Sequence, residues 1–194
     1  MRPIVLASSS RYRRELLARL HIVFTVDRPD IDESAEPGEA PAATALRLAW
    51  LKAQAVASRH PGALVIASDQ VAEVDGTPIG KPGVFEVALE QLELMQGRLA
   101  VFHTALALLD TTTGALQLDN VPTRVRFRRL PRAALEAYLR LEEPFDCAGA
   151  AKIEAAGIAL VESVESPDPT ALIGLPLIRL TSMLAQSGID VPPR

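Results

Sequence analysis

Residues Ala63 to Ala67 are apolar without a break, and a strand with no polar face is stable only where both of its faces are covered. This run constrains the fold more than any other segment. Both sides of the sheet need helices, which points to an α/β class with strands and helices alternating along the chain. The run ends in Ser68, Asp69 and Gln70, and Asp75-Gly76 a few residues on reads as a tight hairpin turn. The hairpin folds the chain back and returns Gly80-Lys81-Pro82 toward the acid. A carboxylate and an ammonium are therefore expected at one end of the sheet.

The remaining segments alternate as that class requires. "PIVLA" predicts a strand, "RYRRELLARL" a short helix with Leu16, Leu17 and Leu20 inward, and "IVFTV" a second strand. "RPDIDESAEPGEAP" is a polar loop, after which Pro41 opens a long amphipathic helix that stops before Pro61-Gly62. "FEVALEQLELMQG" predicts a helix with Gly97 as its C-cap. "LAVFHTALALLD" and "ALQLDNVPTRVRFRRL" predict long paired strands around the turn "TTTG". "PRAALEAYLRL" follows as a helix, "AKIEAAGIALVESVE" as a strand and "PLIRLTSMLAQSG" as the closing helix. No linker, repeat or low-complexity segment interrupts the series, so residues 1–194 are read as a single domain.

Composition narrows the function classes. With 48% hydrophobic residues the chain can fill a core without a staple, and its single cysteine, Cys147, excludes an internal disulfide. The opening residues lack a basic stretch followed by an apolar one, and no apolar run approaches a membrane span. The expectation is a cytoplasmic protein with no membrane partner. A net charge of -4 argues against general nucleic-acid binding, although a local basic cluster can still hold an anion.

Two features suggest such a cluster. "ASSSRYRR" follows the first strand and opens a helix, so hydroxyls, arginines and free N–H groups can converge on one anion. A serine N-cap ahead of a solvated arginine face accounts for the same residues. Of the 20 basic residues only three are lysine: Lys52 on the long helix, Lys81 in "GKP", and Lys152 two residues before Glu154. In so arginine-biased a chain, a retained lysine suggests a site that uses a compact ammonium. Lys152 and Glu154, two apart on an expected strand, would share a face and can simply pair with each other.

"LASSSRYRRELL", "PDIDES", "RLAWLKAQAVA", "IASDQV", "GKP", "DCAGAAKIEAAG" and "DPTALIGLPL" stand in the order and spacing of the Maf family of nucleoside triphosphate pyrophosphatases, and the resemblance covers essentially the whole chain. It implies a fold like that of the inosine triphosphatase group, an elongated mixed sheet flanked by helices with a cleft between two lobes. It implies hydrolysis of a nucleoside triphosphate to the monophosphate and pyrophosphate with a divalent metal, Mg²⁺ or Mn²⁺, and a homodimer is common among such proteins. Asp69 matches the family's proton acceptor. Ser8 and Arg13 fall at the matching phosphate-gripping positions of the first motif. One departure is Ser10-Arg11, where the family usually has Ser-Pro.

Chemistry supports these roles independently. Attack on the α-phosphorus needs a positioned water, a sink for charge on the departing pyrophosphate and a metal joining the two. Asp69 can take the water's proton or bind metal, Glu33 offers a second hard oxygen ligand, and Lys52 and Lys81 supply point charges for the phosphates. A solvated acidic loop is the simpler account of Glu33. In the family this chain resembles, the positions of Tyr12, Gln70 and Glu154 look like those that separate substrate branches, and the set is similar to the 7-methyl-GTP pyrophosphatases, which often have Trp at the Tyr12 position. An aromatic face and an acid suit a purine made cationic by methylation at N7. The competing readings are an enzyme of this family acting on dTTP, UTP or other nucleotides, and a nucleotide-binding regulator of cell division without turnover.

Other chemistries fare worse. Cys147 with His21, His60 or His103 could form a thiol pair, but a lone cysteine beside "AGAA" reads as core packing, and the scattered histidines do not form a zinc site. "RVRFRR" puts Arg124, Arg126 and Arg128 on one strand face and Val125 and Phe127 on the other. With no aromatic on the basic side for base stacking, that is a solvated face.

Overall fold

In the computed structural model, which describes residues 2–192, the apolar run lies in the middle of a seven-stranded mixed sheet ordered β2-β1-β3-β5-β6-β7, with β4 paired to β3. The strands are β1 (Ile4–Ala7), β2 (Thr25–Asp27), β3 (Leu64–Val74), β4 (Thr77–Ile79), β5 (Leu99–Asp110), β6 (Leu116–Phe127) and β7 (Val161–Glu165). The helices are α1 (Arg11–Ala18), α2 (Pro41–Ala57), α3 (Phe85–Met95), α4 (Arg132–Glu142) and α5 (Leu177–Gln186). β1 is parallel to β2 and β3, and every other pairing is antiparallel.

The register of β3 creates the site. On one edge it pairs with β5 from Leu64 to Val74 without interruption. On the other edge β1 pairs only as far as Ala67, and β4 resumes at Ala72. Residues 68 to 71 therefore have a strand on one side and an opening on the other. β1 runs into this opening and ends just before Ser8. β4 runs into it from the opposite direction, because Asp75 (φ 51) and Gly76 (φ 79) turn the chain as the hairpin reading required, and it ends just before Gly80-Lys81.

The core divides at the same place. Near β1, Leu64, Ile66, Leu106 and Leu108 pack on one sheet face against α1 and α5, while Val65, Ala67, Ala105 and Ala107 pack on the other under α2. Beyond the opening, Ala72, Val74, Phe102 and Val125 pack with Leu89, Leu92, Leu135 and Leu139 of α3 and α4. The 11- and 12-residue strands β3, β5 and β6 run through both parts, about 40 Å at the usual rise per residue. The expected two lobes on one sheet, flanked by helices with a cleft between, are thus observed.

Four local readings need correction. "IVFTV" is strand only from Thr25, with Val23 80% exposed, because the edge strand β2 has only the short β1 to pair with. "AKIEAAGIALVESVE" is strand only from Val161; Lys152 lies just before, and Glu154 within, a turn at 153–155 ahead of a short 3-10 segment, Ala156–Leu160. The cap of α3 is Gln96, and Gly97 follows it at φ 68, where a Cβ would strike the Arg129 side chain. Cys147 is half-buried on the cleft wall rather than in the core. The arginine face is as expected: Arg124, Arg126 and Arg128 are exposed while Val125 and Phe127 are buried. Met1 and residues 193–194 of the expected domain lie outside the described residues.

Candidate active site

The opening beside β3 is the floor of a cleft of about 930 Å³ that holds every residue singled out as functional: Ser8, Tyr12, Arg13, Glu33, Lys52, Asp69, Gln70, Lys81 and Glu154. Side chains alternate along a strand, so Asp69 and Gln70 leave β3 on opposite faces.

Asp69 points to the α2 side. Thr44, Leu48 and Lys52 recur at four-residue spacing and present one face of α2 to the cleft. Lys52, 5% exposed, donates to Asp69 Oδ1 at 2.5 Å, and Asp69 is itself 6% exposed. The same ammonium lies 2.9 Å from Glu33 Oε1. Lys52 thus bridges two carboxylates, one from a core strand and one from the 28–40 loop. Burial favours the protonated form of Glu33, but the hydrogen bond and charge of Lys52, with Lys81 and Arg13 nearby, outweigh it and hold the carboxyl below its ordinary range. Glu33 is therefore more than a solvated loop acid.

Ser8 is buried where β1 ends, and its Oγ accepts from Ser10 N–H at 3.1 Å. Ser10 in turn caps α1 by accepting from Arg13 N–H at 3.4 Å, so the Ser10-Arg11 step still starts the helix. Arg13 projects from the first turn and donates from Nε to Gly174 O at 2.8 Å. Burial lowers the pKa of its guanidinium, and the carboxylates of Asp69 and Glu33 offset part of that cost. Lys81 is exposed on the opposite rim, in a loop held down where Gly80 O accepts from Gly149 N–H and Gln91 Nε2, each at 3.2 Å. Among the described residues no group of three or more His, Cys, Asp or Glu side chains gathers as a metal site. Asp69 and Glu33 are instead a pair of hard oxygen donors. Such a pair suits Mg²⁺ or Mn²⁺, which takes one or two carboxylates and completes its shell with water and substrate phosphate.

Gln70 points to the other face. Its amide nitrogen lies 2.9 Å from Thr104 Oγ1 and 3.1 Å from each of the Ala171 and Leu172 carbonyls. Its N–H groups are thus spent on the protein, and its remaining capacity is the carbonyl. Tyr12 carries the Arg11 guanidinium 4.9 Å from its ring centroid, so a cation already lies over this aromatic face. Asp146, Cys147 and Glu154 line the same rim, and neither Asp146 nor Glu154 makes an ion pair among the described residues. The alternative Lys152–Glu154 couple is not formed. Lys152 bonds Glu142 at 2.9 Å, because the turn at this point aims it at α4 and leaves Glu154 facing the cleft. Burial and the neighbouring Asp146 push the Cys147 thiol up to about 12, which disfavours the nucleophilic thiolate near neutrality.

Sequence reasoning missed the strap 168–175, which carries Gly174, and the buried Ser68, whose Oγ lies 2.9 Å from Gly174 O. The block "DPTALIGLPL" contains both an Asp-Pro-Thr turn signature and a glycine, but backbone carbonyls used as acceptors leave no residue-type signal.

The model of the family described as Maf-like protein matches residues 3–187. A protein of Thiobacillus denitrificans named 7-methyl-GTP pyrophosphatase is 61% identical, over 97% of this chain and 94% of its own. A protein of the same name from Bordetella pertussis is 58% identical, over 96% and 93%. Among solved structures, the Staphylococcus aureus Ham1 protein aligns with a TM-score of 0.45 at 21% identity, covering 64% of this chain and 71% of that one.

Proposed function

The chain belongs to the Maf family of nucleotide pyrophosphatases, and from that premise we propose that it hydrolyses 7-methyl-GTP to 7-methyl-GMP and pyrophosphate, clearing modified nucleotides from the cytoplasmic pool. The observation that carries the reading is the buried Asp69–Lys52 pair set in the open edge of β3 and faced by Arg13 and Glu33. A buried carboxylate repels a polyphosphate unless a cation lies between them. An acid there has a use when a proton must be taken from water.

In the proposed reaction, water attacks the α-phosphorus and gives its proton to Asp69. The bond from that phosphorus to the bridging oxygen breaks, and its electron pair leaves on the pyrophosphate. Asp69 Oδ1 is held by Lys52, which leaves Oδ2 for this proton. Lys52, Lys81, Arg13 and Ser8 bind and orient the phosphates. Asp69 and Glu33 are the residues that would hold a divalent cation, which supplies charge neutralisation on the polyphosphate.

Base selection falls to the other end of the cleft. Methylation at N7 leaves guanine positively charged, so the face of Tyr12 away from Arg11 would gain a cation–π attraction of about 0.5–2 kcal/mol over neutral stacking. Glu154 can accept from N1–H and the 2-amino group, and its charge favours the cationic base. Hydrolysis of 7-methyl-GTP in ¹⁸O-water tests the bond broken. One label in 7-methyl-GMP and none in pyrophosphate is expected; label in pyrophosphate, or release of orthophosphate, would overturn the assignment.

A further inference from the structure

Asp168 is 2% exposed, lies outside the cleft lining and makes no ion pair among the described residues. A buried carboxylate without a cation needs hydrogen-bond donors around it, and here they come from two directions. Oδ1 accepts from Thr170 N–H at 3.0 Å and from Thr170 Oγ1 at 2.7 Å. Oδ2 accepts from Ile178 N–H at 2.7 Å and Arg179 N–H at 3.3 Å, in the first turn of α5. Thr170 Oγ1 accepts from Leu177 N–H at 2.8 Å. Pro176, at the N-cap position, has no side-chain acceptor, so α5 is capped across the chain by Asp168 and Thr170.

The segment between these anchors touches both ends of the cleft. Gly174 O receives Arg13 Nε at 2.8 Å and Ser68 Oγ at 2.9 Å. Ala171 O receives Thr104 Oγ1 at 2.9 Å and Gln70 Nε2 at 3.1 Å, and Leu172 O receives Gln70 Nε2 at 3.1 Å. Gly174 has φ +120, a conformation side chains rarely adopt, and a Cβ there would lie 3.6 Å from Arg13 Nε. One short strap thus fixes the arginine at the phosphate end and the glutamine at the base end.

We infer that Asp168 is a positioning residue: through the strap 168–175 its carboxylate sets Arg13 and Gln70 together, coupling phosphate grip to base selection. The assignment of those two ends rests on the proposed pyrophosphatase reading. An asparagine at 168 would turn an NH₂ toward N–H donors and leave at least one of them without an acceptor. Thr170→Val removes the hydroxyl while keeping the shape, and Thr170→Ser restores the hydroxyl.

The test compares the wild-type protein with Asp168→Asn, Thr170→Val and Thr170→Ser, each checked for folding by circular dichroism. It measures kcat and KM for 7-methyl-GTP and GTP, and hydrogen exchange of the Arg13 Nε–H by NMR, assigned with Arg13→Lys. Asp168→Asn and Thr170→Val are expected to lose about ten- to a hundredfold in kcat/KM for 7-methyl-GTP, the scale of misplaced binding groups, and to narrow the preference over GTP. Both should speed Arg13 Nε–H exchange at least tenfold, while Thr170→Ser stays near wild type. If Asp168→Asn does not fold, the Thr170 pair decides. Unchanged exchange and selectivity in folded variants with a lower Tm would make the strap merely structural and overturn the proposal. If the wild type does not hydrolyse nucleotides, the pyrophosphatase reading fails on its own, and Arg13 exchange still decides the positioning role.

Discussion

Asp69 is the residue on which the proposed chemistry depends, and its environment predicts how its loss would look. Asp69→Asn keeps the size and a hydrogen-bond acceptor for Lys52 but removes the proton acceptor, so kcat should fall by at least the 10² to 10⁴ (about 3 to 5 kcal/mol) of general-base catalysis. Nucleotide affinity, measured by calorimetry, should remain; near-wild-type kcat would remove Asp69 from the mechanism. Glu154 makes a subtler contribution. Its carboxylate is exposed and without an ion-pair partner among the described residues, so Glu154→Gln should narrow the gap between 7-methyl-GTP and GTP by roughly ten- to a hundredfold, the scale of one charge-assisted hydrogen bond. An unchanged ratio of kcat/KM values would place Glu154 away from the base. Asp69, Lys52 and Lys81 were legible in the sequence because an acid ending an apolar run and lysines in an arginine-rich chain are anomalies of residue type. The Lys52 bridge to Glu33 was not, since it depends on how the 28–40 loop folds over α2.

At the level of elements, the sequence is informative where periodicity is strong. The apolar run of β3, the Asp75-Gly76 turn and α2 from Pro41 are all found where the pattern places them. It fails where tertiary contacts replace repeating ones. The segment "AKIEAAGIALVESVE", read as a strand, has no edge to pair with until Val161 meets Phe127. It is held by side chains instead. Tyr138 Oη donates to Ala150 O at 2.9 Å and accepts from Lys152 N–H at 3.0 Å, and Glu142 takes both Lys152 Nζ at 2.9 Å and Ala156 N–H at 3.0 Å. The Lys152 hydrogen bond, followed by that from Ala156 N–H, lowers the pKa of Glu142, and Lys152 is raised by the same bond. Glu142 therefore contributes stability that is complete above its ordinary pKa of 4.5 and is lost as pH falls through its lower folded-state value. Lys152 stays charged across that range. In urea unfolding, Glu142→Gln should be less stable than wild type at pH 7, with the difference closing toward pH 3; a difference independent of pH would assign the effect to packing rather than to this pair.

The whole molecule explains how one sheet can serve both the proposed chemistry and the proposed selection. Strands β3, β5 and β6 tie two separately packed lobes together, and interruption of pairing along one edge of β3 opens a cleft without breaking the sheet. The residues proposed to bind phosphate come from the lobe of β1 and α2 and from the end of β4, and Glu154 comes from the segment leading into β7. No helix among the described residues is long and apolar enough to cross a membrane. The proposed substrate branch rests on Tyr12, Gln70 and Glu154, which all line that cleft, and its most direct test is steady-state pyrophosphate release from 7-methyl-GTP, GTP, UTP and dTTP by the same preparation. The site described here predicts kcat/KM for 7-methyl-GTP at least tenfold above that for each of the other three, about 1.4 kcal/mol of discrimination. Equal values for 7-methyl-GTP and GTP, or a preference for UTP or dTTP, would contradict it.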